Sequence, residues 1–279
     1  MVFHARSLRF NLDRQPILLG VVNVTPDSFS DGGKFIKPAE AIRQAKRLIQ
    51  EGANCLDIGA ESTRPGARRV SARIQCQRLV PIIRALKKNI PAAISVDTTL
   101  SEVAEACLQE GAHIINDTSG LQDDPKLASV VKQYQAGLIL MHRRGTPDVM
   151  QKKARYQDVV KEVYAELKRS ILMARRAGVS KNHITIDPGI GFSKKLKHNL
   201  TLLKHLDEFK KLGVPICLGT SRKSFLGQIT ERPVHEREWG TAATVALGIA
   251  KGVKLIRVHN VGAHHDVVQV TNAILQAKE

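Results

Sequence analysis

Aromatic residues make up only 4% of the 279 residues, and the chain has four cysteines. A surface that stacks nucleic-acid bases needs aromatic side chains, so this composition supplies one poorly. The cysteines form no CxxC pair, and their spacing does not match a zinc site. We expect small buried hydrophobes in a reducing compartment, two in predicted strands and two in predicted helices: Cys55 and Cys217, then Cys76 and Cys107.

Long hydrophobic runs are also missing. No apolar stretch approaches the roughly 20 residues that span a bilayer, and Met1–Phe10 lacks the apolar segment of a secretory signal. We therefore expect a cytoplasmic protein without a membrane partner. The chain has no GxGxxG after its first apolar run, no GxxxxGK[ST] and no GxSxG. These absences argue against a dinucleotide-binding sheet, a P-loop nucleotide hydrolase and an α/β-hydrolase.

The net charge is +17, from 43 Lys and Arg residues against 26 Asp and Glu residues. A strongly basic chain either binds nucleic acid or handles anionic substrates. The basic residues are spread over several predicted helices: Arg43, Lys46, Arg47, Arg84, Lys87, Lys88, Lys168, Arg169, Arg175 and Arg176. This scatter is typical of a solvated outer face. It favours an enzyme, with a basic nucleic-acid-binding protein as the alternative.

Eight short apolar runs, each followed by polar residues, recur along the chain with helix-like segments between them. Continuously apolar strands are typical of parallel sheets that are buried on both faces. Eight such units predict a (β/α)₈ TIM barrel, in which active sites form where the strands end. The runs are Ile17–Asn23, Cys55–Gly59, Ala93–Asp97, Ile114–Asn116, Leu138–His142, Ile184–Asp187, Ile216–Thr220 and Leu255–His259.

Apolar residues at helical spacing fill the segments between the runs. They indicate helices around residues 42–49, 79–86, 159–171 and 200–209, and Thr99 with Glu102 fits a capping box that opens the third helix. The first 14 residues precede the barrel and predict a short hairpin across its bottom. Since no linker interrupts the pattern, we predict a single domain over residues 1–279.

Arg257 and His259 lie two residues apart on the last predicted strand, so their side chains point to the same side. A helix opens directly after them, and backbone N–H groups at a helix start attract phosphate. Barrels often bind phosphate after their seventh and eighth strands. An internal ion pair for Arg257 and a buried core role for His259 are the alternatives, and the pair at this position favours an anion site.

Two carboxylates, Asp97 and Asp187, each end an apolar run, and Asn116 ends a third. A buried carboxylate without a partner is costly, so each needs a ligand or a protein cation. Together they suit a planar heterocycle with a guanidine-like edge, because a carboxylate can accept two parallel N–H bonds. The alternative is an internal salt bridge with Arg257 or with Lys223, which follows the seventh run.

Three further features are less decisive. Asn23 ends the first run, and its amide oxygen could ligate Mg²⁺ within a mostly aqueous shell. His142 ends the fifth run without an accompanying carboxylate motif, which favours a positioning or structural role over a general base. The Gly- and Ser-rich segments Thr25–Phe35 and Ala60–Val70 leave the catalytic face and are typical of mobile lids.

The order of these motifs resembles one family over nearly the whole chain. The motifs are GVVNVTPDSFSDGG, IGAESTRPGA, ISVDT, IINDTSG, MHRRGTP, IDPGIGFSK, LGTSRKSFLG and RVHNV. The chain is similar to the dihydropteroate synthase family. The resemblance implies a (β/α)₈ barrel, a homodimer formed through the later helices, and condensation of 6-hydroxymethyl-7,8-dihydropterin pyrophosphate with p-aminobenzoate. Mg²⁺ is the implied cofactor, and sulfonamides mimic p-aminobenzoate in this family.

The resemblance also implies roles for individual residues. The implied catalytic residues are Asp97, Lys223, Arg257 and His259. The implied pterin-binding residues are Asp97, Asn116, Met141, Asp187, Phe192 and Lys223. The implied pyrophosphate-binding residues are Asn23, Thr63, Arg64, Arg257 and His259, and Asn23 is the implied metal contact. The implied p-aminobenzoate pocket is bordered by Phe29, Pro65 and Ser221.

Some positions depart from the family pattern, and Lys194 with Lys195 makes the GFSKKLKHN stretch more basic than usual. Ala60 stands where a glycine is usual, and Asn260 stands where an aspartate is common. These changes leave the implied chemical groups in place. A methyltetrahydrofolate methyltransferase on the same fold and a pterin-binding paralogue without turnover are the closest alternatives, and site residues separate such functions where fold alone does not.

Overall fold

A computed structural model describes residues 1–24, 38–62, 66–67 and 69–277. An antiparallel hairpin of β1 (Val2–Ala5) and β2 (Leu8–Asn11) comes first. The parallel strands are β3 Ile17–Asn23, β4 Cys55–Gly59, β5 Ala93–Asp97, β6 Ile114–Asp117, β7 Gly137–Met141, β8 Ile184–Asp187, β9 Cys217–Leu218 and β10 Leu255–Val258.

Helices follow the parallel strands and cover the outside of the sheet. In the described residues they are α1 Pro38–Gln50, α2 Ala72–Asn89, α3 Ser101–Gln109, α4 Leu127–Tyr134, α5 Val159–Arg176, α6 Leu196–Lys204, α7 Ser224–Thr230, α8 Glu238–Ala250 and α9 Val261–Gln276. Short 3₁₀ helices add Met150–Lys153, Lys181–His183, Leu206–Leu212 and Val234–Glu236. None of the described helices is long and apolar enough to cross a membrane.

The eight parallel strands form one sheet in the order β8-β7-β6-β5-β4-β3-β10-β9. A parallel bridge between Ile186 and Ile216 joins its two ends. The sheet therefore closes on itself, and the predicted (β/α)₈ barrel is confirmed. Burial on both faces explains why its strands read as continuous apolar runs: one apolar cluster lies between helices and sheet, and a second fills the lower barrel interior.

The N-terminal hairpin closes the bottom of the barrel, as the sequence predicts. Its Phe3 and Ala5 side chains are fully buried and join the interior cluster with Ile114 and Ile139. Gly137 makes this possible, because a Cβ at that position would lie 2.7 Å from the Phe3 ring. The hairpin therefore belongs to the barrel core.

Three local predictions need correction. The seventh barrel strand is only Cys217–Leu218, because the chain turns away after Gly219 and Lys223 N–H donates to the Thr220 carbonyl. The capping box at Thr99 is wrong: α3 begins at Ser101, whose N–H donates to the Asp124 carboxylate at 2.8 Å.

The helix predicted over residues 200–209 is in fact two elements. Helix α6 ends at Lys204, and the separate 3₁₀ helix Leu206–Leu212 carries the rest of the apolar pattern. Leu206 and Phe209 are fully buried from that second element, whereas Leu200 is exposed. The apolar spacing therefore marked buried side chains at Leu203, Leu206 and Phe209, but it was wrong for Leu200 and missed the break between the two elements.

Candidate active site

The predicted polar residues meet at the carboxyl ends of the barrel strands. Strand register sets Asp97 beside both Gly59 and Asn116, and it sets Asp187 beside Met141 on the next strand. Arg257 lies on β10, two strands from β4 around the barrel. One rim of the barrel therefore gathers carboxylates, an amide and a guanidinium.

Arg257 is paired with two carboxylates in this rim. Its Nη2 donates to Asp97 Oδ2 at 3.2 Å, and its Nε donates to Asp57 Oδ2 at 2.6 Å. The internal ion pair considered as an alternative for Asp97 is therefore present. A substrate that takes the Asp97 carboxylate competes with the arginine, which keeps Asp57 as its second partner.

Asp57 is a site residue that the sequence reasoning missed. It is fully buried in the middle of β4, and its Oδ2 also accepts from Asn116 Nδ2 at 3.2 Å. A carboxylate can only accept, so the amide nitrogen faces Asp57 and the amide oxygen is left for other donors. The sequence did contain a sign of this role, because Asp57 is a charged residue inside the apolar run Cys55–Gly59. A carboxylate buried in a strand requires hydrogen-bond or charge partners.

Asp187 has a different set of partners. Its Oδ1 accepts from the Gly189 N–H at 2.7 Å, so the carboxylate also shapes the loop that follows it. No ion pair with Lys223 is formed among the described residues. Gly219 keeps the space between Asp187 and Arg257 open, because a Cβ there would lie within 4 Å of both side chains.

Lys223 and Phe192 lie together beside Asp187. The Lys223 ammonium is 4.5 Å from the centroid of the Phe192 ring, within range of a cation–π interaction. It also donates to the Ile190 carbonyl. Two residues that the sequence implied for one ligand are therefore neighbours, and both are fixed by the loop after β8.

Burial shifts the protonation equilibria of the rim. It raises the pKa of Asp97 to about 7 against the opposing effect of Arg257, and it raises the pKa of Asp187 against that of Lys223. It lowers the pKa of Lys223 to about 8, with Asp187 opposing. Such shifts by desolvation and specific charges are typical of binding and catalytic sites.

Side-chain hydrogen bonds occupy both parts of the predicted anion site, the end of β10 and the start of α9. Ser221 Oγ lies 3.0 Å from His259 Nδ1 and accepts from the His259 N–H at 3.2 Å. At the start of α9 the N–H groups of Gly262 and Ala263 already donate to side chains, those of Glu51 and Asn260. Anion binding at this helix start therefore stays a prediction, and there an anion would compete with these two side-chain acceptors.

Phe29, Thr63, Arg64 and Pro65 fall outside the described residues. Ala60, the departure at the start of the second loop, is fully buried, and its carbonyl accepts from Arg78 at 2.9 Å.

Asn23 ends β3 next to Gly59 and is partly exposed. The described residues contain no group of three or more His, Cys, Asp or Glu side chains that could hold a metal ion. Mg²⁺ bound through substrate phosphates keeps several waters and needs only one or two protein oxygens. An amide oxygen at this position fits that kind of coordination.

His142 has a carboxylate partner, contrary to the expectation from sequence. Its Nε2 lies 2.9 Å from Glu166 Oε2, and its Nδ1 lies 2.9 Å from Lys194 Nζ. Both partners were missed because they come from α5 and from the loop after β8, and only the fold brings them to His142.

Comparisons with known proteins agree with this architecture. The family described as "Pterin binding enzyme" matches residues 19–259. The dihydropteroate synthase of Synechocystis sp. is 44% identical over 266 residues, which cover 95% of this chain and 92% of that protein. Dihydropteroate synthase from Yersinia pestis with a sulfonamide drug complex has a TM-score of 0.93 and 37% identity, over 99% of this chain and 100% of that one. The enzyme from Xanthomonas albilineans with 4-aminobenzoic acid has a TM-score of 0.92 and 38% identity, over 99% of each chain.

The barrel and its rim thus define a pterin-binding enzyme. Within that class the relatives are transferases of one kind, and the chain belongs to the dihydropteroate synthase family. Full-length similarity to these synthases does not favour the methyltransferase or the nucleic-acid-binding alternative.

Proposed function

We propose that the chain condenses 6-hydroxymethyl-7,8-dihydropterin pyrophosphate with p-aminobenzoate to give 7,8-dihydropteroate and pyrophosphate. The observation that carries this proposal is the convergence, on one barrel rim, of hydrogen-bond acceptors with an anion site. Asp97, Asn116 and Asp187 supply the acceptors, and Arg257 with His259 supplies the anion site. The family membership supports the same reaction.

The pterin ring fits the acceptor side of the rim. Its 2-amino-pyrimidinone edge presents parallel N–H groups, which a carboxylate accepts in pairs. Asp57 turns the Asn116 amide so that its oxygen is available as a further acceptor. Phe192 and Met141 contribute apolar surface for the ring, and Lys223 beside Phe192 can donate to a ring carbonyl or nitrogen.

Departure of pyrophosphate places negative charge on the leaving group. Arg257 and His259 lie on the same strand end and can stabilise that charge as it develops. Asn23 would contact a magnesium ion shared with the diphosphate, and when bound the ion supplies additional positive charge there. The Asp97 carboxylate can stabilise the resulting pterin-methyl cation electrostatically.

The arylamine then attacks the methylene carbon. An arylamine is neutral at pH 7, so the step needs no strong general base, and a Ser–His or Cys–His pair is not required for the chemistry. In this proposal Phe29, Pro65 and Ser221 border the p-aminobenzoate pocket, and Thr63 and Arg64 close over the diphosphate.

Lys223→Ala tests this function. Formation of dihydropteroate and release of pyrophosphate are measured together, with Mg²⁺ and with or without p-aminobenzoate. We expect product from the wild type and at least about a hundredfold lower kcat/KM in the variant, because a donor to the pterin is lost. Lys204→Ala, an exposed lysine at the end of α6, is the control and should keep full activity.

The other outcomes of that assay each contradict the proposal. Wild-type protein that binds a pterin but forms no product would be a binding paralogue. Wild-type protein that binds no pterin would remove the basis of the assignment altogether.

We infer that the protein acts as a homodimer through α8 and α9. These two helices pack against each other and carry large exposed apolar side chains. Trp239 is 86% exposed, Val270 59% and Ile274 69%, which is unusual for a surface that faces only water. Val270 and Ile274 lie one helical turn apart, so they share a face of α9.

Val270→Asp combined with Ile274→Asp tests the dimer. Sedimentation equilibrium should give a dimer for the wild type and a dissociation constant at least about a hundredfold higher for the variant, because two carboxylates would be buried unpaired. Leu200→Asp, an exposed leucine on α6, should leave the dimer intact. A monomeric wild type at micromolar concentration would contradict the inference.

We also place the protein in the cytoplasm. All four cysteines are free, and three of them, Cys55, Cys107 and Cys217, are buried among apolar side chains. Free buried thiols are typical of proteins kept in a reducing compartment.

A further inference from the structure

A buried lysine connects the two loops that flank the pterin side of the rim. Lys194 is only 4% exposed and belongs to the loop after β8, from which its side chain reaches His142 at the end of β7. Its Nζ is 2.9 Å from His142 Nδ1, 3.0 Å from the Phe192 carbonyl oxygen and 3.4 Å from the His142 carbonyl oxygen. Burying an amine without hydrogen-bond partners would be costly, so these three partners are what allow Lys194 to be buried here.

The direction of these hydrogen bonds follows from the far end of the network. Arg144 donates to both oxygens of Glu166, and its guanidinium lies 4.1 Å from the Tyr156 ring centroid. Although burial raises the pKa of Glu166, the His142 and Arg144 contacts lower it to about 2, so the group is a carboxylate. It can only accept, and His142 must donate to it from Nε2.

The remaining ring nitrogen of His142 then acts as an acceptor. Burial, with Lys194 adding to it, lowers the pKa of His142 to about 4, so the imidazole is neutral at pH 7. With its proton on Nε2, Nδ1 can only accept, and Lys194 is the donor. Burial lowers the pKa of Lys194 while Asp187 opposes this, and both protonation states of the amine retain an N–H for Nδ1.

The other end of the network reaches the proposed pterin contacts. The Phe192 carbonyl accepts from Lys194 and also from Ser193 Oγ at 2.7 Å, so the backbone of Phe192 is held twice. Its ring in turn lies under the Lys223 ammonium. Gly189 allows the two loops to approach closely, because its φ is +68° and a Cβ there would lie 1.9 Å from the His142 carbonyl oxygen.

We propose that Lys194 is a positioning residue for the pterin site: it ties Phe192, and through Phe192 the side chain of Lys223, to the His142–Glu166 pair. This inference rests on the proposed function. Lys194 itself touches no substrate. Without the hydrogen bonds of Lys194, the Phe192 backbone loses its connection to the end of β7. The distance between the Phe192 ring and the Lys223 ammonium is then no longer fixed.

Lys194→Met tests the proposal, since methionine keeps the length of the side chain and removes its donors. Pteroic acid and inorganic pyrophosphate with Mg²⁺ are titrated separately onto the folded protein. We expect the Kd for pteroic acid to rise about tenfold, which is the size of effect seen when a group that orients a metal ligand is removed. The Kd for pyrophosphate should stay within about twofold of wild type. Lys197→Met, an exposed lysine in α6, should match wild type for both ligands.

The two ligands separate positioning from stability. An unchanged Kd for pteroic acid, or an equal loss for both ligands, would overturn the proposal, because the second result is what general loosening of the barrel produces. If Lys194→Met does not fold, Glu166→Gln breaks the network at a partly exposed residue, and pteroic acid binding should weaken about threefold while pyrophosphate binding does not. Equal binding of pteroic acid by Glu166→Gln and wild type would likewise overturn it. Wild-type protein that binds no pteroic acid would instead contradict the proposed function.

Discussion

Asp97→Asn should lower kcat/KM for the dihydropterin pyrophosphate by about a thousandfold at pH 8. The substitution keeps the shape of the side chain but removes the charged acceptor that, in the proposed function, faces the pterin ring. Two hydrogen bonds to a charged group, with the electrostatic stabilisation of a cation, are worth about 4 kcal/mol in total. At pH 8 the wild-type carboxylate is ionised, since burial raises the pKa of Asp97 to about 7. Initial rates with purified substrate measure the effect.

The same variant gives a prediction about pH. As pH falls through about 7, the wild type gains the proton that neutralises Asp97, and its advantage over Asp97→Asn should shrink. A ratio of the two rates that is constant from pH 8 to pH 6 would contradict the role of the carboxylate charge. Asp124→Asn is the control, because that carboxylate accepts from Ser101 at the start of α3 and should leave the rate unchanged.

Asp57→Asn should cause the largest loss of stability. Asp57 is fully buried, and its Oδ2 accepts from Arg257 and Asn116. The substitution leaves Arg257 with Asp97 as its remaining carboxylate partner, and loss of the closer partner from a buried ion pair costs about 3 kcal/mol or more. For a chain of this length the midpoint of thermal unfolding should fall by roughly 6–12 °C. Differential scanning calorimetry measures the shift, and KM for the pterin substrate should rise because Asn116 is released.

Ser95→Ala is the matched comparison for Asp57→Asn. Ser95 is the partner of Asp57 in strand register, is equally buried, and its hydroxyl has no hydrogen-bond partner among the described residues. Removing an unsatisfied buried hydroxyl should be neutral or slightly stabilising. Equal losses of stability in the two variants would mean that burial alone, and not the ion pair, sets the cost at this layer of the barrel.

The fold could be predicted because its strands are buried on both faces. This burial makes each strand a continuous apolar run, and eight such runs define the barrel without reference to any contact. The break between Lys204 and Leu206 could not be predicted, since an α-helix and a 3₁₀ helix bury the same apolar side chains at nearly the same spacing. The start of α3 was missed for another reason: the acceptor for the Ser101 N–H is Asp124, which comes from a later loop.

The site residues also fall into those that could be located from the sequence and those that could not. Asp97, Asn116, Asp187 and Arg257 could be located because strand ends share one rim of a barrel, and the structure brings them together there. Asp57 was missed because it lies within its strand instead of at the end. The residues that orient others have no local signature: the Lys194–His142–Glu166 network joins side chains 24 and 52 positions apart.

The buried hairpin at the bottom of the barrel determines at which end ligands can enter and leave. Because Phe3 and Ala5 pack against the lower interior, the described part of the chain closes that end of the barrel, and the rim with the strand ends is the opposite end. Under the proposed reaction both substrates therefore enter, and the product leaves, at this same end of the barrel.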